Sequence, residues 1–313
     1  MDPIKYVTPF YSEPHRRFHD MDHIQSMLDY VGDSISDELR HAIIFHDVVY
    51  DPYAGDNEEN SCKVFQEYYE QHLLNSRLDS QRVCQLIMAT KNHLLTDGDS
   101  DEKLIVEADM SVFEDRYAIY NYEQGIFYEF QKFPIDQYIQ GRSEFLDGVI
   151  AHHGAQSVIG ANAQIIKEYV LSRVYNLGIY PGSFNPFHIG HLDVILQAEK
   201  VFDKVIIAQG INHTKPKPRK VITRYRQLVE YTGLVTELFE EEDNIRKSLI
   251  RGIRSSFDVN YEETFRSAVL DIKEINFSYF FCKKEHNHIS STLIRGLERF
   301  NNDLADKYLP DAI

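Results

Sequence analysis

The 313-residue sequence contains only three cysteines and no long uninterrupted apolar stretch. The cysteines, Cys62, Cys84 and Cys282, are scattered, so they match neither a disulfide framework nor a CxxC metal motif. No run reaches the roughly eighteen apolar residues of a membrane-spanning helix, and residues 1–18 lack the apolar core of a secretion signal. These absences predict a protein of the reducing cytoplasm without a membrane partner.

The chain also lacks low-complexity tracts, and its hydrophobic content of 43% is typical of folded domains throughout. Charge is unevenly distributed: residues 1–170 contain 30 acidic and 13 basic side chains, whereas residues 171–313 contain 19 and 20. Such a step suggests two units. The acidic first part should repel nucleic-acid backbones, so we expect no nucleic-acid partner. The near-neutral second part, with local Lys/Arg clusters, suits small phosphorylated ligands.

Hydrophobic periodicity separates the same two parts. Residues 1–172 repeat apolar positions at helical spacing, without a convincing pair of alternating strands. Near Leu177 the pattern changes: LGIYPGSF reads as a strand, HLDVILQAEKVF as a helix and DKVIIAQG as a buried strand. This is a βαβ unit of a parallel sheet. We therefore predict an all-α helical bundle over residues 1–172 and an α/β, Rossmann-like domain with a parallel sheet over residues 173–313.

Histidine and aspartate recur in the predicted helical part. His15, His19 and His23 are spaced by four, so on a helix they would share one face. We predict that His46-Asp47 lies inside an apolar helix, AIIFHDVV, and that Asp109 has a similar setting in LIVEADMSVF. A charge there is costly unless it is paired or bound to a cation. Imidazole and carboxylate together suit Mn²⁺, Fe²⁺, Zn²⁺ or Mg²⁺ without choosing among them. For His15 we keep the simpler interpretation of a satisfied or surface histidine.

The order of His23, His46, Asp47 and Asp109 resembles the H…HD…D signature of the HD superfamily. The blocks YSEPHRRFHDMDHI, FHDVVYDPYAGDNEENS, IMATKNH and EADMSVF are similar to its predicted metal-dependent phosphohydrolases over about residues 8–172. The resemblance implies that these four residues bind a divalent metal (Mn, Fe, Zn, Ni or Mg). It also implies that the unit hydrolyses a phosphate ester or nucleotide with metal-activated water.

The same resemblance leaves further roles open. His19 and His93 would support the ligands, contact phosphate or bind a second ion. Glu58, or its neighbour Glu59, would act as general base. Arg142 would have either a phosphate-binding or a structural role. The IFYEF segment (126–130) departs from the family pattern, which carries a basic residue there, and this change would alter the substrate pocket.

The stretch YPGSFNPFHIGH, residues 180–191, is the most specific in the chain. It predicts a strand that ends at Pro-Gly, a turn that presents Ser183 and Phe184, and a helix that His188 and His191 enter. Backbone N–H groups at a helix N-terminus bind phosphate, and small residues allow close approach. Imidazoles at such a site donate hydrogen bonds to the charge that develops on a transferring phosphoryl group. An HxGH motif after this turn indicates nucleotide chemistry.

Three later segments carry compatible side chains: HTKPKPRK, IRGIRSSFDVNYEE and HNHISSTLIRG. In the last of these, hydroxyls and an arginine at a helix start would form a second phosphate cradle. Within the basic stretch we interpret Lys217, Arg219 and Lys220 as solvated. The candidate residues are Lys215, Arg251, Gly252, Ile253, Arg254, Asp258, Glu262, His286, Ser290, Ser291, Thr292 and Arg295.

Together these blocks resemble the phosphopantetheine adenylyltransferase family of the HxGH nucleotidyltransferases, over residues 177–313. The resemblance implies that the acceptor's phosphate attacks the α-phosphorus of ATP and that pyrophosphate leaves, with Mg²⁺ assisting and no covalent intermediate. Ser183, Lys215 and Arg251 would hold the acceptor's phosphate, and His191 would stabilise the transition state. The residues that would hold ATP are Phe184, His191, Gly252, Ile253, Arg254, Glu262, Arg295 and the stretch 286–292. His188, Lys215 and Arg254 would also contribute to catalysis.

Departures from the family keep the acceptor open. Asn185 replaces the usual aspartate, and the segment 226–251 is shorter than the family's norm. His188 completes an HxGH that is more like that of nicotinamide mononucleotide adenylyltransferases. The acceptor is therefore 4'-phosphopantetheine, giving dephospho-CoA in coenzyme A biosynthesis, or nicotinamide mononucleotide. A third hypothesis makes one unit a silent binding or assembly module. By resemblance we also expect a homo-oligomer.

Overall fold

The computed structural model describes residues 1–93, 99–212, 219–300 and 302–310, except the side chains of Phe257 and Asn302. The chain divides into two compact units. The first unit comprises Met1–Phe130 and Ile135–Leu171, and the second comprises Gln131–Pro134 and Ser172–Ile313. None of the helices found in the described ranges has the length and apolarity that crossing a bilayer requires.

The described part of the first unit is helical, which confirms the coarse prediction for this half. Its long helices are α1 (Pro3–Tyr11), α2 (Met21–Val31), α3 (Asp37–Phe45), α4 (Asn57–His72), α5 (Ser80–Ala89), α6 (Ser100–Asp109), α7 (Ala118–Glu129), α8 (Ile135–His153) and α9 (Val158–Ser172).

Side-chain caps and a shared core fix the positions of α2, α3 and α6. Asp20, Ser36 and Asp99 precede these helices, and each accepts hydrogen bonds from free backbone N–H groups of the first turn. Fully buried residues such as Ile24 and Ile43 face inward, and α2 packs against both α3 and α6. The three helices that carry His23, His46 and Asp109 therefore meet in one core.

Two helical predictions in this unit are wrong. His15, His19 and His23 do not share a helix face, because α1 ends at Tyr11 and α2 begins only at Met21. Asp20 starts α2 as its N-cap and accepts from the backbone N–H of His23, so the chain before it is not helical. His46-Asp47 likewise follows the last residue of α3 rather than lying inside the helix.

The second unit is an α/β layer structure around a parallel sheet, as predicted. Five parallel strands lie in the order β3-β2-β1-β4-β5. Its elements are β1 (Tyr175–Gly182), α10 (Ile189–Ala198), β2 (Lys204–Gly210), β3 (Leu228–Tyr231), β4 (Ile245–Ile253), α11 (Ser256–Leu270), β5 (Asn276–Phe281), α12 (Ser291–Glu298) and α13 (Asn302–Asp306).

Both faces of this sheet are covered, which explains why β1 and β2 read as continuous apolar runs. On one face Val194 and Ile195 of α10 pack with Ile207 and Ile250. On the other face Val269 of α11 belongs to a second apolar cluster. The strand order reverses between β1 and β4, and ligands of open parallel sheets bind at the carboxyl ends of strands at such a switch point.

Candidate functional site

A cleft of about 370 Å³ opens beyond the carboxyl ends of β1 and β4 in the second unit. Segments that are remote in sequence line it: the turn after β1, the start of α10, the end of β4, the start of α11 and the start of α12. Of the candidate residues, it is lined by Phe184, His188, His191, Arg251, Gly252, Arg254, Asp258, Glu262, Ser290, Ser291 and Thr292. The fold therefore brings together most of the set taken from separate motifs.

The two imidazoles of the HxGH motif stack on each other, with ring centroids 3.6 Å apart. The backbone N–H of His188 donates to Nδ1 of His191 at 3.2 Å, so a neutral His191 carries its hydrogen on Nε2. Burial, His188 and Arg254 hold the pKa of His191 well below its ordinary value. Burial, Arg254 and His286 lower the pKa of His188 to about 4. Both rings are therefore neutral at pH 7, and His191 presents an N–H donor.

The turn after β1 is shaped by close packing of Phe184. This buried ring contacts Tyr180, Phe187 and His191 and lies in a residue with φ of 46°. A Cβ on Gly182 would lie 2.7 Å from the ring, so glycine is needed for the ring to pack there. Fully buried Gln209 donates from its amide to the carbonyl of Ser183 at 3.3 Å and holds the turn from β2.

Two arginines at the end of β4 are fixed by carboxylates of α11. Arg251 donates to both oxygens of Glu262, at 2.6 and 2.7 Å, in a bidentate pair. Asp258 accepts from the Arg254 backbone N–H at 2.9 Å and from its guanidinium at 3.3 Å. The predicted phosphate contact Arg251 and the predicted ATP contact Glu262 are thus direct partners, so the glutamate orients the guanidinium.

The start of α12 is tied to the turn after β1. Ser290 caps the helix by accepting from the Leu293 N–H, and Ser291 donates to the carbonyl of Pro186 at 2.9 Å. Arg295 donates to the carbonyl of Asn185 and to the Thr292 hydroxyl. Arg295 therefore lies outside the cleft lining and holds the turn.

The structure does not place three further candidates, Ile253, His286 and Lys215, in the cleft lining. Ile253 is a buried core residue and His286 lies beside Asp193, with 3.7 Å between the imidazole and the carboxylate; neither lines the cleft. Asp193, which sequence reasoning missed, is buried and also accepts from the Lys283 N–H at 2.9 Å. Lys215 lies outside the described residues.

A second, larger pocket of about 860 Å³ adjoins the cleft on the α11 side. The two share Pro181, Gly182, Arg251 and Tyr261, and Ser183 lines only the larger one. Aromatic and aliphatic side chains form much of its wall: Tyr231, Leu234, Val235, Phe265, Val269 and Ile272. A ligand that reaches across Arg251 would occupy both spaces.

In the helical unit the four predicted metal ligands converge. Ligand atoms of His23, His46 and Asp47 lie within 4.8 Å of one another. Oδ1 of Asp109 lies 3.2 Å from Nε2 of His23 and 3.9 Å from Nε2 of His46, and Asp47 Oδ2 lies 3.1 Å from the same His46 nitrogen. Elements that begin far apart in sequence therefore present two imidazoles and two carboxylates to one small region.

The donor set fits a divalent cation. The Nε2 atoms of His23 and His46 are buried and have no hydrogen-bond partner among the described residues. Carboxylate oxygens of Asp109 and Asp47 lie close to them, but the geometry does not suit hydrogen bonds between imidazole and carboxylate. Nδ1 of His46 donates to the Ile43 carbonyl oxygen, 2.9 Å away, which leaves Nε2 for a ligand. Burial alone would lower the pKa of His46, but Asp47 and Asp109 raise it to about 9.

In the helical unit, sequence reasoning missed Glu129 as a hydrogen-bond partner of His19 and Tyr50. This fully buried carboxylate accepts from the backbone N–H groups of Arg17, Phe18 and His19, from His19 Nδ1 at 2.6 Å and from the Tyr50 hydroxyl at 2.8 Å. It thereby joins the loop before α2 to the turn after α3. The sequence feature that could have indicated this role is the acidic residue within the otherwise apolar and aromatic IFYEF segment.

The other candidates of this unit contact nearby side chains or backbone groups. His93 Nε2 is 3.4 Å from Asp109, and the buried His15 donates from Nε2 to the Tyr50 carbonyl oxygen at 3.0 Å. Glu58 lies 3.9 Å from the Lys91 amine, and burial, followed by the charge of Asp47, raises its pKa. Arg142 and Glu123, both buried, form an ion pair at 2.8 Å that fixes α8 to α7.

Comparison with known proteins bears on the second unit. A family model described as cytidylyltransferase-like matches residues 179–297. The phosphopantetheine adenylyltransferase of Buchnera aphidicola subsp. Schizaphis graminum is 34% identical over 152 residues, which cover 44% of this chain and 90% of that protein. The protein of the same name from Porphyromonas gingivalis is 31% identical over 148 residues, covering 44% and 95%. That of Neisseria meningitidis serogroup C is 32% identical over 150 residues, covering 43% and 88%.

Proposed function

Because the chain belongs to the phosphopantetheine adenylyltransferase family, we propose that its second unit transfers AMP from ATP to 4'-phosphopantetheine, giving dephospho-CoA and pyrophosphate. The observation that carries the proposal is the cleft at the switch point of the sheet. It joins the HxGH imidazoles to two arginines and to the start of α12.

Positioning and charge neutralisation account for the reaction. The neutral His191 donates from Nε2 to a phosphate oxygen, and Arg254 neutralises charge that develops on the transferring group. The starts of α10 and α12 add backbone dipoles. Asp258 and Glu262, the carboxylates of the described cleft lining, are each paired with an arginine, so Mg²⁺ would bind through the phosphates and offset their charge.

The larger pocket supports phosphopantetheine over nicotinamide mononucleotide. Arg251 lies between the two spaces, where it would hold the acceptor's phosphate, and the wall beyond is formed largely by side chains such as Phe265 and Ile272. Among its described lining residues there is no carboxylate to offset the positive charge of a pyridinium ring. An uncharged pantetheine arm is better matched to this wall.

Pyrophosphate release tests the assignment. The protein is incubated with ATP and either acceptor, and we expect release with phosphopantetheine only. His191→Ala should reduce turnover by roughly 10²–10³, the cost of removing one donor to a developing charge. His152→Ala is the control, because His152 is an exposed histidine of the helical unit and does not line the cleft. Equal turnover by the His191 variant, or preference for nicotinamide mononucleotide, would reject the proposal.

For the helical unit we propose a second activity, metal-dependent hydrolysis of a phosphate ester or nucleotide. Its support is the convergence of His23, His46, Asp47 and Asp109 with two buried imidazole nitrogens that lack partners among the described residues. These four side chains would hold a divalent ion, and Ile43 fixes the ring of His46. Such an ion supplies an acidified water and neutralises phosphate charge. Glu58, with its raised pKa, would accept a proton.

Metal content tests this second proposal directly. Elemental analysis of the purified chain should find a divalent metal, and Asp109→Asn and Asp47→Ala should lower its content at least tenfold, in line with loss of a ligand. Asp22→Ala is the control, because Asp22 is exposed on α2, one residue from His23. Hydrolysis of a panel of phosphate monoesters and nucleotides is then measured with the metal-loaded protein. Equal metal content in all variants would reject the ligand assignment.

A further inference from the structure

Two of the three cysteines lie together between α4 and α5 of the helical unit. The Cys62 thiol is 3.6 Å from the Cys84 carbonyl oxygen, and the Cys84 thiol is 4.0 Å from the Cys62 carbonyl oxygen. Each thiol therefore lies against the backbone of the other residue, although 22 positions separate them in sequence. Both residues are half-buried, and neither is fully enclosed by the protein.

Their surroundings make the two sulfurs chemically unequal. The Gln66 amide, one turn after Cys62 on α4, donates to the Cys84 sulfur at 3.2 Å. Hydrogen bonds from the Cys62 thiol and from Gln66 outweigh burial and lower the pKa of Cys84 to about 7. The Cys62 pKa is raised, because its proton is shared with Cys84 and because burial disfavours the thiolate. Cys84 is therefore the nucleophile of the pair.

We propose that Cys62 and Cys84 form a reversible disulfide when the protein meets a peroxide. The Cys84 thiolate displaces hydroxide from hydrogen peroxide and becomes a sulfenic acid, and the hydroxide is protonated to water. The Cys62 sulfur then attacks the sulfenic sulfur, its proton leaves with the displaced hydroxide as a second water, and the S–S bond forms. Two thiols lose two electrons in total, and one peroxide is reduced to two waters.

The bond would join two helices that both pack against α3, the helix that leads to His46-Asp47. Cys62 lies one turn after Glu58 on α4, and α5 leads through the short 3-10 helix Thr90–Asn92 to His93. The Lys91 amine of this 3-10 helix already pairs with Glu59 of α4. Neither cysteine is among the candidate metal ligands, so the inference stands whether or not the unit binds a metal.

Peroxide treatment of the full chain, followed by alkylation under denaturing conditions and peptide mapping, tests the proposal. The wild type should lose two of its three alkylatable thiols and yield linked peptides that contain Cys62 and Cys84, and a reductant should restore both. Cys282→Ser, which changes the remaining cysteine, should give the same link. Cys62→Ser should stop at a sulfenic acid on Cys84 that dimedone traps, whereas Cys84→Ser should give little adduct on Cys62.

Rates add a sharper readout. At pH 7 a thiol with a pKa of about 7 is half ionised, against about 1% at the ordinary 9.0, while its intrinsic nucleophilicity is roughly tenfold lower. Cys84 should therefore react roughly fivefold faster than an ordinary thiol, and Gln66→Leu should remove part of this advantage. Three free thiols after treatment, a link between two chains, or dimedone on Cys62 instead of Cys84 would overturn the proposal.

Discussion

Glu129 provides a quantitative test of how the helical unit holds the segments around its His/Asp cluster. Its carboxylate accepts five hydrogen bonds, three from backbone N–H groups and two from the side chains of His19 and Tyr50. Glu129→Gln keeps the shape of the side chain, removes its charge and turns one acceptor oxygen into a donor. The variant therefore separates the effect of charge from that of volume.

The pKa of Glu129 gives the expected magnitude. Burial alone would raise this pKa, but His19 and the N–H groups of Arg17 and Phe18 lower it from the ordinary 4.5 to about 2. The difference corresponds to roughly 3 kcal/mol of stability. Since the folded-state pKa is the lower one, this stability is present above about pH 4.5 and is lost as the pH falls towards about 2. A glutamine whose amide nitrogen replaces Oε2 would lose the hydrogen bonds from His19 and Tyr50. Two hydrogen bonds to a charged group contribute about 3–6 kcal/mol, which agrees with the stability derived from the pKa.

Hydrogen exchange read by mass spectrometry at increasing urea resolves the helical unit from the rest of the chain. We expect Glu129→Gln to lower the unfolding free energy of peptides from this unit by roughly 3–5 kcal/mol at pH 7. The loss should fall to less than half at pH 3. Glu144→Gln, on the exposed face of α8, should change it by less than about 0.5 kcal/mol. A loss below about 1 kcal/mol at pH 7, or one independent of pH, would refute the reasoning.

Three further predictions concern the second unit. The pKa of His188 is lowered to about 4 from the ordinary 6.5. Roughly 3 kcal/mol of stability is therefore present above pH 6.5 and lost as the pH falls towards 4. Thermal unfolding of His188→Gln should depend less on pH than that of the wild type. His191→Gln should retain more turnover than His191→Ala, because glutamine can place an N–H near the former Nε2, and steady-state kinetics checks this. Gly182→Ala should displace the Phe184 ring, raise KM for ATP and cost about 1–3 kcal/mol, measured by kinetics and calorimetry.

The parallel sheet and the cleft could be predicted because their signals are local. Consecutive residues encode β1, the turn and α10, and parallel strands must present their carboxyl ends at one edge. Residues after β1 and after β4 were assigned to one site by resemblance to a family, and this shared sheet edge is the physical reason that they meet. The pairing of Arg251 with Glu262 was not expected, because it depends on how the first turns of α11 pack over β4.

The helical unit was less predictable because its partners are remote. A spacing of four made His15, His19 and His23 look like one helix face, yet Asp20 caps α2 and interrupts it. Glu129 lies 110 residues from His19, and no periodicity links such positions. The cost of an unpaired buried charge is the usable signal: the reasoning applied to Asp47 inside an apolar stretch applies equally to Glu129.

Both candidate sites contain histidine, but the charges around the imidazoles have opposite signs. Around His46 the nearby charges are carboxylates, which raise its pKa to about 9 and make the region attractive to a cation. Around His191 the nearby charge is Arg254, which with burial lowers its pKa and leaves a neutral donor beside a site for anions. A cation bound among carboxylates attracts a phosphate ester, whereas arginines attract a polyphosphate directly. The uneven charge of the sequence thus matches the two ways of binding phosphate that we propose, one through a metal and one through the protein's own cations.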